Sequence, residues 1–387
     1  MANVMTNLTP TFFRAMQIVP RELAGALRAI TANFADANGN QKASLGTTVK
    51  VPIVGALTIE TYTPAQITTV GSSNTPTAVS VPLDYNEMAT FHLTGEEELQ
   101  LVNGNDYLTK HVQNSAEQAI RTVINRIEAY VCTAMSVGAS RAVGAAGSTP
   151  FGTDLTVLNA LSKILTDNGM PMIDRSLVIN TAAGTNMRDR LTLAAATAGS
   201  VADEMTRNGW IARLGGFAIS ESAGVKTHTC GTGTAYQLNG ALATVGTTSI
   251  TSDTGAGTIL AGDAVNFTTT DPGRKYIVKT ALAANVTVLG KPGTMIALPD
   301  DEPFTIENPS GTFVSNFACH KAAAAVAIRA PEIPASPLIE QTMVTDAVTG
   351  LSLLFCRIVG DGLTTYRVHA MYGAAVVNPE GVAILIG

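Results

Sequence analysis

"LTKHVQNSAEQAIRTVINRIEAYV", Leu108 to Val131, is the stretch on which the fold turns. Leu108, Val112, Ala116, Ala119, Val123, Ile127 and Val131 recur at helical spacing, so one face of a single helix is apolar. The pattern predicts about 30 residues, roughly 45 Å at 1.5 Å per residue, which makes a strut. Small residues, "GASRAVGAAGSTPFG" at 138–152, break it. Upstream, Thr94 followed by Glu97 is a capping-box pattern, and Glu96, Glu97 and Glu98 complement the dipole of a first helical turn.

Toward the N-terminus the period changes. Residues 1–46 read as a helical arm: Thr9 and Pro10 make a cap with a first-turn proline, and Leu23, Leu27, Ile30 and Phe34 follow Pro20 at helical spacing. Residues 47–93 read as an extended β-hairpin arm, because "TTVKVPI" and "AVSVPLDYNEMATFHL" alternate with period two around the polar tip "TPAQITTVGSSNTPT". Apolar stripes on two arms call for partners.

Toward the C-terminus, "DLTVLNALSKILTDNGMP" predicts a shorter helix closed at Asn168 and Gly169, "RSLVIN" a buried strand, and "GWIARLGGFAISES" another. From Thr227 to Thr294 sixteen residues are threonine and only seven are charged, with turns at "SDTGAG", "LAGD" and "DPGRK". That composition predicts a small β insertion over 233–309. "GLSLLFCRIV" and "LTTYRVHAMYG" flank "GDG" as a hairpin, and the chain ends on "AMYGAAVVNPEGVAILIG", apolar through Val382, Ile384 and Ile386. The fold class is α+β. The spine helix and its surroundings occupy 94–150, and a central domain is split into 151–232 and 310–387 by the insertion.

Composition excludes several functions. With 46% hydrophobic and 14% charged residues, 387 residues hold an ample core. No apolar run reaches a membrane span, the longest being "AAAAVAI" after Lys321, so no membrane contact is expected. The first residues carry no basic segment ahead of an apolar one, which predicts no secretory signal. A net charge of −6 and a pI near 5.4 argue against tight nucleic-acid binding. Cys132, Cys230, Cys319 and Cys356 are dispersed and read as reduced core residues.

No catalytic, cofactor-binding or metal-binding constellation emerges. "DANGN" at 36–40 begins like a calcium loop, but Gln41 stands where glycine is needed and Thr47 where a bidentate glutamate belongs. "GASRA" around Ser140 has Ala142 in place of the second glycine of a nucleophile elbow. "GTGTAY" at Gly231 lacks the third glycine of a dinucleotide site. The histidines His92, His111, His228, His320 and His369 show no HxxxH spacing, and His320 and Cys319, being adjacent, point apart.

The order of parts resembles the major capsid protein of tailed double-stranded-DNA phages. It is nearest the coat proteins of short-tailed Salmonella-type phages, which carry an insertion domain. "RNGWIARLGGFAISESAGVKTHTCGT" resembles the approach to that insertion, "LAGDAVNFTTTDPGRKYIVKT" the insertion itself, and "MYGAAVVNPEGVAIL" the C-terminal strands. The resemblance implies the tailed-phage capsid (Johnson) fold, with a spine helix, a hairpin arm (E-loop) and an inserted barrel-like β domain. It implies an icosahedral shell of hexamers and pentamers, assembled in the host bacterial cytoplasm with scaffolding and portal proteins. A decoration protein and weak, non-specific contact with packaged DNA go with it, and no cofactor. On this reading Phe12, Phe13, Leu23, Leu27, Glu60, Asp84, Glu87, Arg188, Arg190, Arg207 and Arg213 are candidates for contact between subunits. Some shells of this family weld an arm lysine to a neighbouring asparagine, yet Val51 to Tyr107 holds no Lys or Arg. An encapsulin-like nanocompartment shell is the alternative, although such shells usually lack the insertion, and a soluble enzyme is the third.

Overall fold

The computed structural model describes residues 9–10, 12–14, 25–32, 42–53, 77–102, 107–198, 213–334, 336–345 and 351–387. Its axis is the spine helix, Tyr107–Gly138, 32 residues long. The capping box forms ahead of it: Thr94 N donates to Glu97 Oε2 at 2.8 Å and Glu97 N to Thr94 Oγ1 at 3.3 Å, opening the helix Gly95–Val102.

One sheet lies under the spine. Strand Leu363–Val376 pairs antiparallel with Tyr85–Thr94, with Ser352–Val359 and with Ala324–Arg329; Ile339–Thr345 extends the sheet beyond Ser352–Val359. Val326, Ile328, Phe355, Val368, Ala370 and Tyr372 of this sheet pack in one cluster with Val112, Ala116, Ile120, Val123, Ile124, Ile127 and Val131 of the spine. Each Val or Ile removed from water there contributes about 1.5–3 kcal/mol. Because successive strand residues face opposite sides, Ala325, Ala327 and Met371 face away from the spine. They cover Val49, Val51, Val81 and Leu83 of the hairpin Thr48–Ile53 with Thr77–Pro82. The hairpin base is therefore buried by its own chain, a correction to the expectation that its apolar alternation needs a neighbour.

The second sheet holds the C-terminus. Strand Val382–Ile386 runs parallel to Arg141–Gly144 and antiparallel to Thr312–His320, which in turn pairs with Arg175–Ile179. Val382, Ile384 and Ile386 join the spine cluster, while Ala383 and Leu385 meet Leu158, Leu161, Ile164 and Leu165 of the helix Thr156–Asp167. Both faces of the last strand are covered, which explains why it is apolar at every position.

The insertion is a closed barrel. In order around it run Ala264–Phe267, Pro303–Ile306, Thr234–Leu238, Ser249–Ala256, Val286–Leu289 and Lys275–Ala283, the last pairing back with the first, all antiparallel. Closure leaves no free sheet edge. Tyr236, Leu238, Ile250, Val265, Phe267, Tyr276, Val278 and Phe304 fill the interior. The barrel joins the second sheet by backbone pairing, Lys275 opposite Ala142 and Tyr276 opposite Arg141.

Two local readings change. The helix expected from Pro20 through Phe34 is described only as Gly25–Ala29; Thr31 and Ala32 instead add a short parallel strand beside Ala325 and Val326. Leu23 and Phe34 lie outside the described residues. A helix at Thr181–Ala198 was not foreseen, and Asn180 Oδ1 caps it by accepting from Ala183 N at 2.9 Å.

Since the barrel has its own core, a fragment spanning residues 224–309 should fold alone. Its circular dichroism should be of β type with a cooperative melt, and a random-coil spectrum would defeat this account of the insertion. In the full chain, Ile124→Ala should cost about 2–5 kcal/mol in denaturant unfolding, because a fully buried spine position cannot collapse onto either sheet.

Candidate functional site

The N-terminal arm is held at a buried carboxylate in the spine. Glu128, 2% exposed, accepts from Ala26 N at 2.5 Å, Leu27 N at 3.2 Å and Ser222 Oγ at 2.8 Å. Ala26 N and Leu27 N belong to the helix Gly25–Ala29, and the first N–H groups of a helix have no partner within it. Burial pushes the Glu128 carboxyl above the usual glutamate range, against the pull of these hydrogen bonds. Gly25 is required there, since a Cβ would collide with the Glu221 carbonyl. Farther along the arm, Phe12 stacks on Phe355 with ring centroids 4.6 Å apart.

The arm's packing decides several contact candidates. Phe12 and Leu27 are 1% and 4% exposed, enclosed by their own chain, so neither is available to a neighbour; this corrects the sequence reading. Glu87 is engaged internally, accepting from Arg126 Nε at 3.1 Å and Tyr372 OH at 2.8 Å. Arg188 pairs with Glu221, and Arg190 donates to the Gly152 carbonyl. Phe13, Asp84 and Arg213 are exposed. Leu23, Glu60 and Arg207 lie outside the described residues. Among the described residues, none of the acidic candidates pairs with a basic candidate.

An apolar surface that the sequence reading missed lies at one end of the first sheet. Leu99, Leu338, Val359 and Leu363 are 63%, 60%, 39% and 36% exposed. Hydrogen bonds bring their segments together: Val359 N to Leu338 O at 3.1 Å, Gly360 N to Leu363 O at 2.8 Å, and Gly95 N to Gly362 O at 3.1 Å. Leucine and valine directly flanking "GDG", where turns are ordinarily polar, were the available signal.

The stem of the barrel carries a buried polar cluster. Strand Thr227–Thr229 pairs with Thr312–Val314 of the strand that leaves the barrel. His228 Nε2 lies 2.7 Å from Asp263 Oδ1, and Asp263 also accepts from Leu260 N at 2.7 Å and Gly231 N at 3.2 Å. Cys230 stands on the same side, and its thiol is pushed up to about 12 by burial and by the Asp263 and Glu307 carboxylates. The signal was present in "HTC", since residues two apart on a strand share a face. His320 instead accepts from Ala322 N at 3.2 Å, and Ser140 Oγ donates to the Val382 carbonyl at 2.8 Å.

A cavity of about 560 Å³ lies along the seam of barrel and sheet, lined in part by Arg141, Lys163, Asp167, Asp271, Arg274 and Lys275. Its charges are largely paired: Lys163 with Asp167 at 2.6 Å, Arg274 with Asp271 at 3.0 Å, and Lys275 with Glu307 at 2.8 Å. Arg141, 3% exposed, gives Nη2 to Asn168 Oδ1 at 2.7 Å and Ile164 O at 3.2 Å. These groups lock the seam.

No family model matches the chain, and no curated protein matches it in sequence. Among solved structures, it is similar to a chain of Mycobacterium phage Che8 at 15% identity, covering 93% of this chain and 90% of that one with a TM-score of 0.48. It is similar to a chain of the cyanophage P-SCSP1u capsid at 13% identity, 92% and 86% coverage and a TM-score of 0.47. A virus-like particle from Pyrococcus furiosus gives 9% identity, 97% and 98% coverage and a TM-score of 0.45.

Glu128→Ala would leave buried N–H groups of the arm without acceptors and should cost roughly 3 kcal/mol in denaturant unfolding. The pH dependence has a definite sign. With its folded pKa raised, the native chain holds the Glu128 proton longer than the unfolded chain. Wild type should therefore lose stability relative to Glu128→Gln as pH rises from about 4.3, the unfolded value, through the folded pKa. Parallel stability curves for the two proteins across that range would contradict the assignment.

Proposed function

We propose that the chain is a structural, non-enzymatic subunit that assembles with copies of itself into the icosahedral capsid of a tailed double-stranded-DNA phage. The observation that carries this reading is the apolar end of the first sheet, where Leu99, Leu338, Val359 and Leu363 stand exposed on a chain otherwise well supplied with core. A second copy of the chain is the partner that would cover it. The order of parts supports the same reading: arm, hairpin, spine helix over a sheet, and a barrel inserted before the C-terminal strands. The inserted barrel favours a viral shell over a nanocompartment. On this proposal the domains follow the sequence boundaries, with the barrel at 233–309 and the shell domain at 151–232 and 310–387. Scaffolding and portal proteins share assembly in the host cytoplasm, and a decoration protein binds the finished shell. At a net charge of −6 the subunit touches packaged DNA weakly.

The paired variant Leu338→Asp with Leu363→Asp tests the apolar end. Both positions are exposed, so monomer stability should stay within about 0.5 kcal/mol per site, while sedimentation should show particles in wild type and none in the variant. Equal particle yields from the two proteins would sink the assignment. The join between subunits should also be non-covalent, because an amide weld needs an amine and the stretch from Val51 to Tyr107 supplies none. Particles boiled in denaturant should run as single chains, and a ladder that survives reducing agent is the contrary outcome.

A further inference from the structure

We propose that His228, Cys230 and Asp263 form a binding site for a borderline-soft divalent cation, zinc foremost, that staples the stem of the barrel. The imidazole nitrogen, thiol sulfur and carboxylate oxygen lie within 4.8 Å of one another. The three residues are 6%, 4% and 0% exposed. One nitrogen, one sulfur and one oxygen donor, with a fourth position for water, is a set that zinc takes, whereas calcium and magnesium select oxygen alone.

The surroundings hold the donors in place. Leu260 N and Gly231 N fix the Asp263 carboxylate, the orienting role that outer hydrogen bonds play at metal centres. Phe313 lies against the His228 ring at 5.1 Å between centroids, and a Cβ on Gly262 would stand 3.0 Å from the same ring. Among the described residues, the one ion-pair partner of Asp263 is His228, which is charged only when protonated. A dication bound there would add its charge to the hydrogen bonds that already hold this buried carboxylate.

Binding needs modest movement and a definite proton balance. Ligand atoms around a tetrahedral ion with bonds of 2.0–2.3 Å stand roughly 3.3–3.7 Å apart, so the contact of 2.7 Å between His228 Nε2 and Asp263 Oδ1 must open by roughly 0.6 Å, while the widest pair of the three, within 4.8 Å, must close by up to roughly 1 Å. The cation takes the Nε2 lone pair, the imidazole proton resides on Nδ1, and the thiol proton of Cys230 leaves to solvent. The site ties three pieces of backbone: His228 and Cys230 belong to the segment entering the barrel, Asp263 to a loop within it, and Cys230 N donates to Gly311 O on the segment leaving it at 2.9 Å. Metal here would fix the angle at which the barrel stands on the second sheet. The inference does not depend on the capsid reading.

The test uses the intact, untagged chain, stripped with a chelator under native conditions, reloaded with zinc or cobalt(II) and desalted. One zinc should remain per chain by elemental analysis. The melting midpoint should rise by roughly 5 °C at free zinc a hundredfold above Kd. The cobalt form should show thiolate-to-cobalt charge-transfer absorption in the near ultraviolet. Cys230→Ser and Asp263→Asn should abolish retention, and Cys356→Ser, a buried thiol elsewhere, should not. Zinc no higher than a buffer blank, or a cobalt form without thiolate absorption, overturns the proposal; so does equal retention in folded Cys230→Ser. Should that variant fail to fold, the wild-type cobalt spectrum decides.

Discussion

The structure depends on the burial of one face of a single helix between two sheets. Ile120, Val123, Ile124, Ile127 and Val131 belong to the same cluster as Phe355, Val368 and Tyr372 of one sheet and Phe317, Val382 and Ile384 of the other. Among the described residues, neither sheet has a second helix of that length to cover its inner face. Displacing the spine would therefore uncover both sheets together, so the two are expected to unfold as one unit. The arm is tied to the same helix through Glu128, a carboxylate that would be expensive to bury had it no donors to accept from. Position along the spine thus coordinates arm, first sheet and second sheet.

The barrel obeys a different logic. Its interior is filled by its own aromatic and branched residues, so its connection to the rest is a matter of orientation more than of stability. That connection is a short backbone seam at Arg141–Ala142, flanked by ion pairs and by a buried guanidinium. Close approach is part of the seam: a Cβ on Gly290 would collide with the Ala139 carbonyl, so only glycine lets the barrel sit this near. The His228, Asp263 and Cys230 group lies at the stem, where the strand entering the barrel pairs with the strand leaving it.

How far the sequence carries the reader follows from what periodicity encodes. The spine, the capping box at Thr94 and Glu97, the hairpin around "GDG" and the covered terminal strand were legible, because each is fixed by spacing within one segment. Periodicity says that a side chain is buried, not which chain buries it. For that reason Phe12, Leu27 and the hairpin valines read as contacts with a neighbour although their own chain encloses them. The helix Thr181–Ala198 went unread because its "TAAGTNMRDRLTLAAATA" has no clear apolar stripe. Asp263 met His228 only through barrel closure, and no local pattern announces a contact between segments so far apart in the chain.

On the proposed reading, the apolar end at Leu99, Leu338, Val359 and Leu363 is covered by copies of the same chain. Electron microscopy of the chain, expressed with the genes that neighbour its own, tests this most directly. Closed shells of uniform diameter, with a rod of density about 45 Å long in each subunit for the spine, are the predicted result. Fields without particles, from a chain that sediments as a folded monomer at every concentration, would contradict it.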